Sequence, residues 1–164
     1  MTKNESRAEQ IKHAWSILSR SSSTDHDTKV VSFFNVLERV NLNATRMAEA
    51  RRQQDKEYVN VPFGFELTSL WWREEGGVDV KAGFKIGLVD PDERVLYIKE
   101  YPLTFDQDKK RIRIRVKIND LQVGPGGIYR FRVYFKGVNK DRFQTVAELP
   151  LEVALVEPKP VDQN

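Results

Sequence analysis

The sequence predicts an all-β fold, an antiparallel β-sandwich of about eight strands with one helical insertion, and three observations support this. Segment 111–118 alternates basic residues with isoleucine or valine. Segment 129–135 alternates aromatic or apolar residues with arginine in the same way. Side chains alternate between the faces of a strand, so each segment presents one face to a core and one to water. Clusters of turn-forming residues separate these and similar segments, as in a sandwich or barrel.

Composition places the chain among single-domain proteins. It has 164 residues, of which 40% are hydrophobic and 31% are charged, and its net charge is +3. We expect a flexible segment at 1–12, a β-sandwich domain at 13–156 and a disordered tail at 157–164. The sequence has no cysteine, which excludes disulfides, thiolate metal sites and cysteine nucleophiles. No signal-peptide pattern or apolar run of roughly 18 residues is present, so we expect a cytoplasmic protein.

The first half of the domain is predicted to contain two strands and the insertion. A strand from about 13 to 19 is followed by a polar hairpin loop at 21–28. The stretch 29–42 is apolar on both faces, which is typical of a central strand covered on both sides. Helix formers dominate 43–58, and Asn43 is the expected helix cap. In the stretch 29–42, one apolar face consists of Val30, Phe34 and Val36, and the other consists of Val31, Phe33 and Leu37.

Further strands are predicted in the second half, at 62–72, 78–89, 94–105 and 145–155. Pro150 interrupts the last of these and marks it as an edge strand, because proline cannot donate to a ladder. The strand 62–72 has apolar residues on both faces. Phe63, Phe65, Leu67 and Trp71 share one face, and Leu70 and Trp72 lie on the other.

The link between the two alternating segments resembles the tyrosine corner of fibronectin type III and immunoglobulin-like domains. Val123, Pro125, Gly126 and Tyr129 match that pattern. In those families the tyrosine hydroxyl bonds to upstream backbone where the chain crosses between two sheets. The resemblance implies a sandwich crossing here. It implies no function, because the motif is structural.

Over its whole length the chain is similar to a group of uncharacterised bacterial β-sandwich proteins. The similarity is carried by Ala14-Trp15, by the stretch 33–36, by Pro125-Gly126 and by the stretch 129–133. The resemblance implies the sandwich fold and no particular activity.

Surplus apolar residues favour a protein-binding or adaptor module as the function. The strands 29–42 and 62–72 each carry apolar residues on both faces, but only one face of a strand can point at a given core. The other face must therefore be covered by another part of the chain or by a partner. One interpretation is that the insertion folds back as a lid. The other is an interface with a partner protein or a second copy of the chain, where aromatic anchors are favoured. The residues predicted for that interface are Phe33, Phe34, Leu70 and Trp72.

A nucleic-acid-binding module is the first alternative. Basic residues that share one sheet face can follow a phosphate backbone, and Tyr134 could stack on a base. A tyrosine corner would instead place the two basic rows in opposite sheets, and Glu148 and Glu152 would neutralise part of the charge. The residues concerned are Arg111, Arg113, Arg115, Lys117, Arg130 and Arg132.

A calcium- or small-ligand-binding sandwich is the second alternative. Carboxylates from several loops can hold calcium, and His26 could join them. The acidic pairs lie at Asp25 and Asp27, Glu74 and Glu75, and Asp106 and Asp108. With two histidines and no nucleophile, phosphate-loop or zinc motif, the sequence predicts no enzyme and no cofactor.

Overall fold

A computed structural model describes residues 11–137 and 140–157. The predicted flexible start and tail therefore lie almost entirely outside the described residues. Within them the chain forms nine strands and one helix. In chain order these are β1 (Lys12–Thr24), β2 (Val31–Val36), β3 (Arg39–Asn43), α1 (Ala44–Gln54), β4 (Val59–Trp72), β5 (Val80–Val89), β6 (Val95–Phe105), β7 (Arg111–Val123), β8 (Gly127–Lys136) and β9 (Gln144–Val156).

The strands form two sheets, which confirms the predicted all-β fold with one helical insertion. The order in sheet A is β2-β1-β4-β7, and the order in sheet B is β3-β9-β8-β5-β6. Neighbours are antiparallel except β3 and β9, which run parallel. The inner faces of the two sheets enclose one apolar core. Its largest side chains include Phe65, Leu67, Trp71, Phe84, Ile86, Leu103, Phe105, Tyr129, Phe131 and Leu151, each at most 2% exposed.

The prediction of one central strand at 29–42 is wrong. This stretch forms two edge strands, β2 in sheet A and β3 in sheet B. Between them the Leu37 amide still donates to Leu18 of β1, whereas the Glu38 carbonyl already accepts from Glu152 of β9. The chain therefore changes sheets within two residues. Asn35, with φ of 52°, lies in the left-handed region just before this crossing.

The face alternation predicted for this stretch is nevertheless correct. Val31 and Phe33 are half-buried, whereas Val30, Phe34 and Val36 are 60%, 50% and 55% exposed. The strand is apolar on both sides, but only one of its sides is covered by the described chain.

The β1–β2 hairpin covers the outer face of sheet A, and this corrects the predicted helical lid. Trp15 and Phe33 meet edge to face at 5.6 Å, and the Ser22 hydroxyl donates to Glu66 at 2.7 Å. Arg115 of β7 donates to the Ser22 carbonyl at 3.3 Å. These contacts require β1 to bend after Ser19, so that the hairpin tip lies over β4 and β7. The loop predicted at 21–28 is correspondingly shorter, since β1 continues to Thr24.

Helix α1 begins at the predicted cap, where the Asn43 side chain accepts from the Arg46 amide at 2.9 Å. It buries Met47 and packs against β3, β4 and β9. Arg51 near its end donates to the Gly124 carbonyl. The insertion therefore braces the link between β7 and β8 rather than covering Leu70 and Trp72.

The prediction that the strand containing Pro150 is an edge strand is wrong, because β9 lies between β3 and β8 in sheet B. On one side Pro150 is the register partner of Arg130 in β8. On the other side β3 pairs with β9 only from Glu152 onward. Proline has no amide hydrogen to donate, and at Pro150 no described strand lies on that side of β9 to accept such a hydrogen bond.

The tyrosine corner forms as its sequence predicts. The Tyr129 hydroxyl accepts from the Gly124 amide at 2.9 Å and donates to the Pro125 carbonyl at 2.8 Å. The chain passes from β7 in sheet A to β8 in sheet B at this point. The crossing places the two basic rows in different sheets.

Replacing Tyr129 by phenylalanine should lower the free energy of unfolding by about 1–3 kcal/mol, because a buried amide loses its acceptor. Urea denaturation measures this loss. The matched control is Tyr134→Phe, because the Tyr134 hydroxyl is half-buried and has no hydrogen bond within the described residues. Equal effects of the two substitutions would show that the corner hydrogen bonds do not stabilise the crossing.

Candidate functional site

The four residues predicted for a partner interface do not share one free surface. Phe33 packs on Trp15, and Leu70 lies half-buried in a cleft beside the hairpin. The Lys12 ammonium lies 5.0 Å from the Trp72 ring centroid. Phe34 is 50% exposed, whereas the other three are half-buried. Contact of these residues with a partner stays a prediction.

The basic residues do not form a single patch, because β7 and β8 belong to different sheets. Arg130 and Arg132 lie on β8 and form ion pairs with Glu93 and Glu148. Arg132 contacts Glu148 and Glu93, each at 2.6 Å, and these hydrogen bonds raise its pKa. Neutralisation by Glu148 was predictable from the sequence. Glu93, which was not predicted as a partner, lies in the turn between β5 and β6.

The β7 row has a different environment on the outer face of sheet A. Arg113 donates to the Thr24 hydroxyl at 3.2 Å, and Arg115 lies 3.9 Å from Glu66. Both arginines therefore hold the folded-back hairpin. A role of the row 111–117 in nucleic-acid binding stays a prediction.

The acidic loops do not assemble a metal site in the described part of the chain, where no three histidine or carboxylate groups come together. Asp25 caps its own turn by accepting from Thr28 at 2.6 Å. Glu74 pairs with Lys12 at 2.7 Å, and Asp106 pairs with Lys109 at 2.5 Å. The calcium arrangement predicted from these loops is thus not formed.

A groove runs along one open side of the sandwich. The order of strands leaves β6 at the edge of sheet B and β7 at the edge of sheet A. Two clefts of about 400 and about 590 Å³ lie between these strands, and they share Lys99, Tyr101 and Lys117. They therefore form one elongated depression, which we call the side groove. We define it by Tyr97, Lys99 and Tyr101 of β6 and by Ile114, Lys117 and Ile118 of β7.

The register of β6 explains why aromatic and basic side chains line the groove. Tyr97, Lys99 and Tyr101 pair with Leu88, Ile86 and Phe84, whose side chains are in the core. The three residues thus lie on the inner face of β6. Because β6 is an edge strand, this end of its inner face extends beyond the core and remains accessible.

The two tyrosines form a hydrogen-bonded pair on this wall. Their hydroxyls lie 3.0 Å apart, and the Tyr101 ring stacks on buried Phe84 at 5.4 Å. Burial raises the pKa of Tyr101, and the hydrogen bond between the two hydroxyls raises it further. Tyr101 therefore stays protonated at physiological pH and presents a fixed aromatic wall with a polar rim.

Both walls of the groove are positively charged. The Lys99 ammonium lies 5.5 Å from the Tyr101 ring centroid, a cation–π contact. Within the described residues, neither Lys99 nor Lys117 takes part in an ion pair. Asp120 is the acid that borders the groove. The site has an apolar floor that includes Leu88 and Phe131, with amide groups and unpaired cations at its rim.

Sequence reasoning missed this site because it treated 94–105 as an ordinary returning strand. A signal was present: Lys99 occupies a core-facing position between two tyrosines. Because lysine is rarely buried, a lysine among the inward-facing residues of a strand indicates that this part of the strand extends beyond the core.

No protein-family model matches the chain, and no curated protein matches it. Among solved structures, the chain is similar to a glycosyl hydrolase family 2 member from Bacteroides cellulosilyticus, with a TM-score of 0.38 and 17% identity. The match covers 60% of this chain and 14% of that chain. No helix in the described residues is long and apolar enough to cross a membrane.

Proposed function

We propose that this chain is a non-catalytic protein-binding module that accepts an extended polypeptide segment in the side groove. The observation that carries the proposal is an elongated groove flanked by two free strand edges. The class of function is the one the sequence favours. The proposed binding surface is the side groove and not the interface predicted from the sequence, because most of the residues of that interface contact other parts of the chain.

The shape of the groove favours a chain-like ligand over a compact one. Its lining on β7 extends from Ile112 to Gln122. At about 3.3 Å per residue, this stretch of strand is about 35 Å long. A segment of about ten residues in extended conformation matches that length.

The backbone at the groove also favours a polypeptide. β6 pairs with β5 and β7 pairs with β4, and among the described residues neither has a second neighbour within its sheet. Each edge therefore presents a row of backbone amide and carbonyl groups without a strand partner. An extended peptide satisfies such a row by adding a strand, and alternate side chains then enter the groove.

The lining offers little for catalysis. The described groove residues include one carboxylate, Asp120, and no histidine. Tyr101 has a raised pKa and is protonated at neutral pH, so it is a poor base. These properties support a binding role for the groove.

A random peptide library of about twelve residues displayed on phage tests the proposal, because that length spans the groove. We expect enriched peptides to protect backbone amides of 95–105 and 111–123 from hydrogen exchange. Tyr97→Ala should weaken their binding about tenfold or more, because it removes an aromatic anchor from the wall.

Ile98→Ala is the matched control, because Ile98 is 53% exposed and neighbours Tyr97 on the opposite face of β6. It should leave binding unchanged. Failure of the library to enrich any peptide, or protection confined to other strands, would contradict the proposed function.

A further inference from the structure

We infer that the segment bound in the side groove is acidic, with carboxylates at alternate positions that meet Lys99 and Lys117. This inference rests on the proposed function and specifies the chemistry of the partner. It is carried by the location of two cations without internal partners on opposite walls of one groove.

The charges around the groove differ from those on the outer face of sheet B. On the outer face of sheet B, Arg130 and Arg132 are neutralised by Glu93 and Glu148. At the groove the positive charge is left uncompensated, since Lys99 contacts a tyrosine ring and has no carboxylate partner in the described chain. An incoming carboxylate would gain attraction from both walls without displacing an existing ion pair.

The apolar floor determines how acidic and apolar residues should alternate. Side chains of an added strand alternate between two directions. One set faces the floor formed by Leu88, Ile118 and Phe131, and the other set passes the rim where the ammonium groups lie. Apolar residues alternating with glutamate or aspartate therefore fit both surfaces.

Nucleic acid is the competing anionic ligand. A phosphate backbone requires cations in sequence along its path, and the arginines that would extend the row on β7 already make contacts within the chain. Arg115 lines the larger of the two clefts, but its guanidinium already donates to the Ser22 carbonyl. Arg113 and Arg115 hold the hairpin through Thr24 and Ser22. Two lysines beside an apolar floor suit a peptide better than a phosphate chain.

Fluorescence anisotropy with three labelled probes tests the inference. The probes are a peptide of about ten residues alternating glutamate and valine, the same peptide with glutamine in place of glutamate, and an oligothymidylate of similar length. We expect the glutamate peptide to bind about tenfold more tightly than the glutamine peptide, with a difference that shrinks as salt is raised.

The double variant Lys99→Glu with Lys117→Glu should abolish that preference. Its matched control is Lys81→Glu with Lys110→Glu, which changes the net charge equally at exposed positions outside the groove lining. The control should retain the preference for the glutamate peptide. Circular dichroism verifies that both variants remain folded, as expected for exposed lysines.

The outcomes separate the inference from the proposed function. Equal binding of the two peptides would overturn the acidic preference and leave a peptide-binding groove. Tighter binding of the oligothymidylate would overturn it in favour of nucleic acid. If none of the probes binds while library peptides do, the inference is also overturned. If neither the probes nor library peptides bind, both proposals fail.

Discussion

Replacing Arg73 by alanine is expected to lower the free energy of unfolding by about 3–5 kcal/mol, because it removes a buried cation that joins two loops. The side chain of Arg73 is 2% exposed. Its guanidinium donates to the carbonyls of Val78, Asp106 and Lys109 at 2.7, 2.6 and 2.9 Å. Without it these carbonyls lose their donors, and the truncation leaves a cavity beside Phe105.

The same substitution should alter the side groove. Asp106 and Lys109 lie in the turn that connects β6 to β7, so Arg73 holds the end at which the two walls join. We expect faster hydrogen exchange in that turn and weaker peptide binding. Arg73→Lys should recover little of the loss, since a single ammonium cannot reproduce the three-way fork.

Urea denaturation and hydrogen exchange measure both effects. Lys110→Ala is the matched control, because its exposed side chain lies in the same turn. It should change stability by less than about 0.5 kcal/mol. A loss below about 1 kcal/mol for Arg73→Ala would show that water replaces the guanidinium at these carbonyls.

Replacing Asp90 by alanine is expected to cost about 2–4 kcal/mol, because this carboxylate organises the turn between β5 and β6. Asp90 is fully buried, and it accepts hydrogen bonds from the amides of Asp92 and Arg94 at 2.9 and 2.8 Å. It also accepts from the Tyr58 hydroxyl and from the Arg94 guanidinium. Loss of the carboxylate leaves these donors without their acceptor where β6 begins.

Stability should also depend on pH through Asp90. Burial alone raises the pKa of this carboxyl, but the hydrogen bonds from Tyr58, Arg94 and Asp92 and the charge of Arg94 lower it more, and the net pKa is lowered. The carboxylate therefore stabilises the fold above the pKa of an unfolded aspartate, about 3.9. That contribution is lost as the pH falls through the lower pKa of the folded state.

Comparing stability at neutral and acid pH tests this linkage. Asp90→Asn should be less stable than the wild type at neutral pH and should lose less stability on acidification. Asp92→Asn, at an exposed position in the same turn, should follow the wild-type profile closely. If Asp90→Asn lost as much stability as the wild type on acidification, other carboxyl groups would be responsible for the loss of stability at low pH.

Local alternation was sufficient to predict much of this structure. The inward rows of 111–118 and 129–135, the cap at Asn43 and the corner at Tyr129 all depend on residues close in the sequence. Each can be derived without knowing the neighbouring strands. The all-β fold and the separation of the two basic rows follow from such local patterns.

The errors concern properties that depend on distant residues. The stretch 29–42 is apolar on both faces, and local pattern alone cannot distinguish a central strand from two edge strands that serve different sheets. The bend of β1 that brings Phe33 onto Trp15 is likewise decided by contacts between strands. Sheet order is a tertiary property, and burial follows from it.

The sequence by itself determined that this chain forms a β-sandwich with a helical insertion, because side-chain periodicity and turn chemistry are encoded over a few residues. Only the tertiary structure decided that β6 and β7 are the free edges on one side. That arrangement exposes Tyr97, Lys99 and Tyr101 from a row that would otherwise lie in the core. The side groove exists because the edge strands of the two sheets lie beside each other. Whether a strand lies at an edge depends on how strands far apart in the sequence pair with one another.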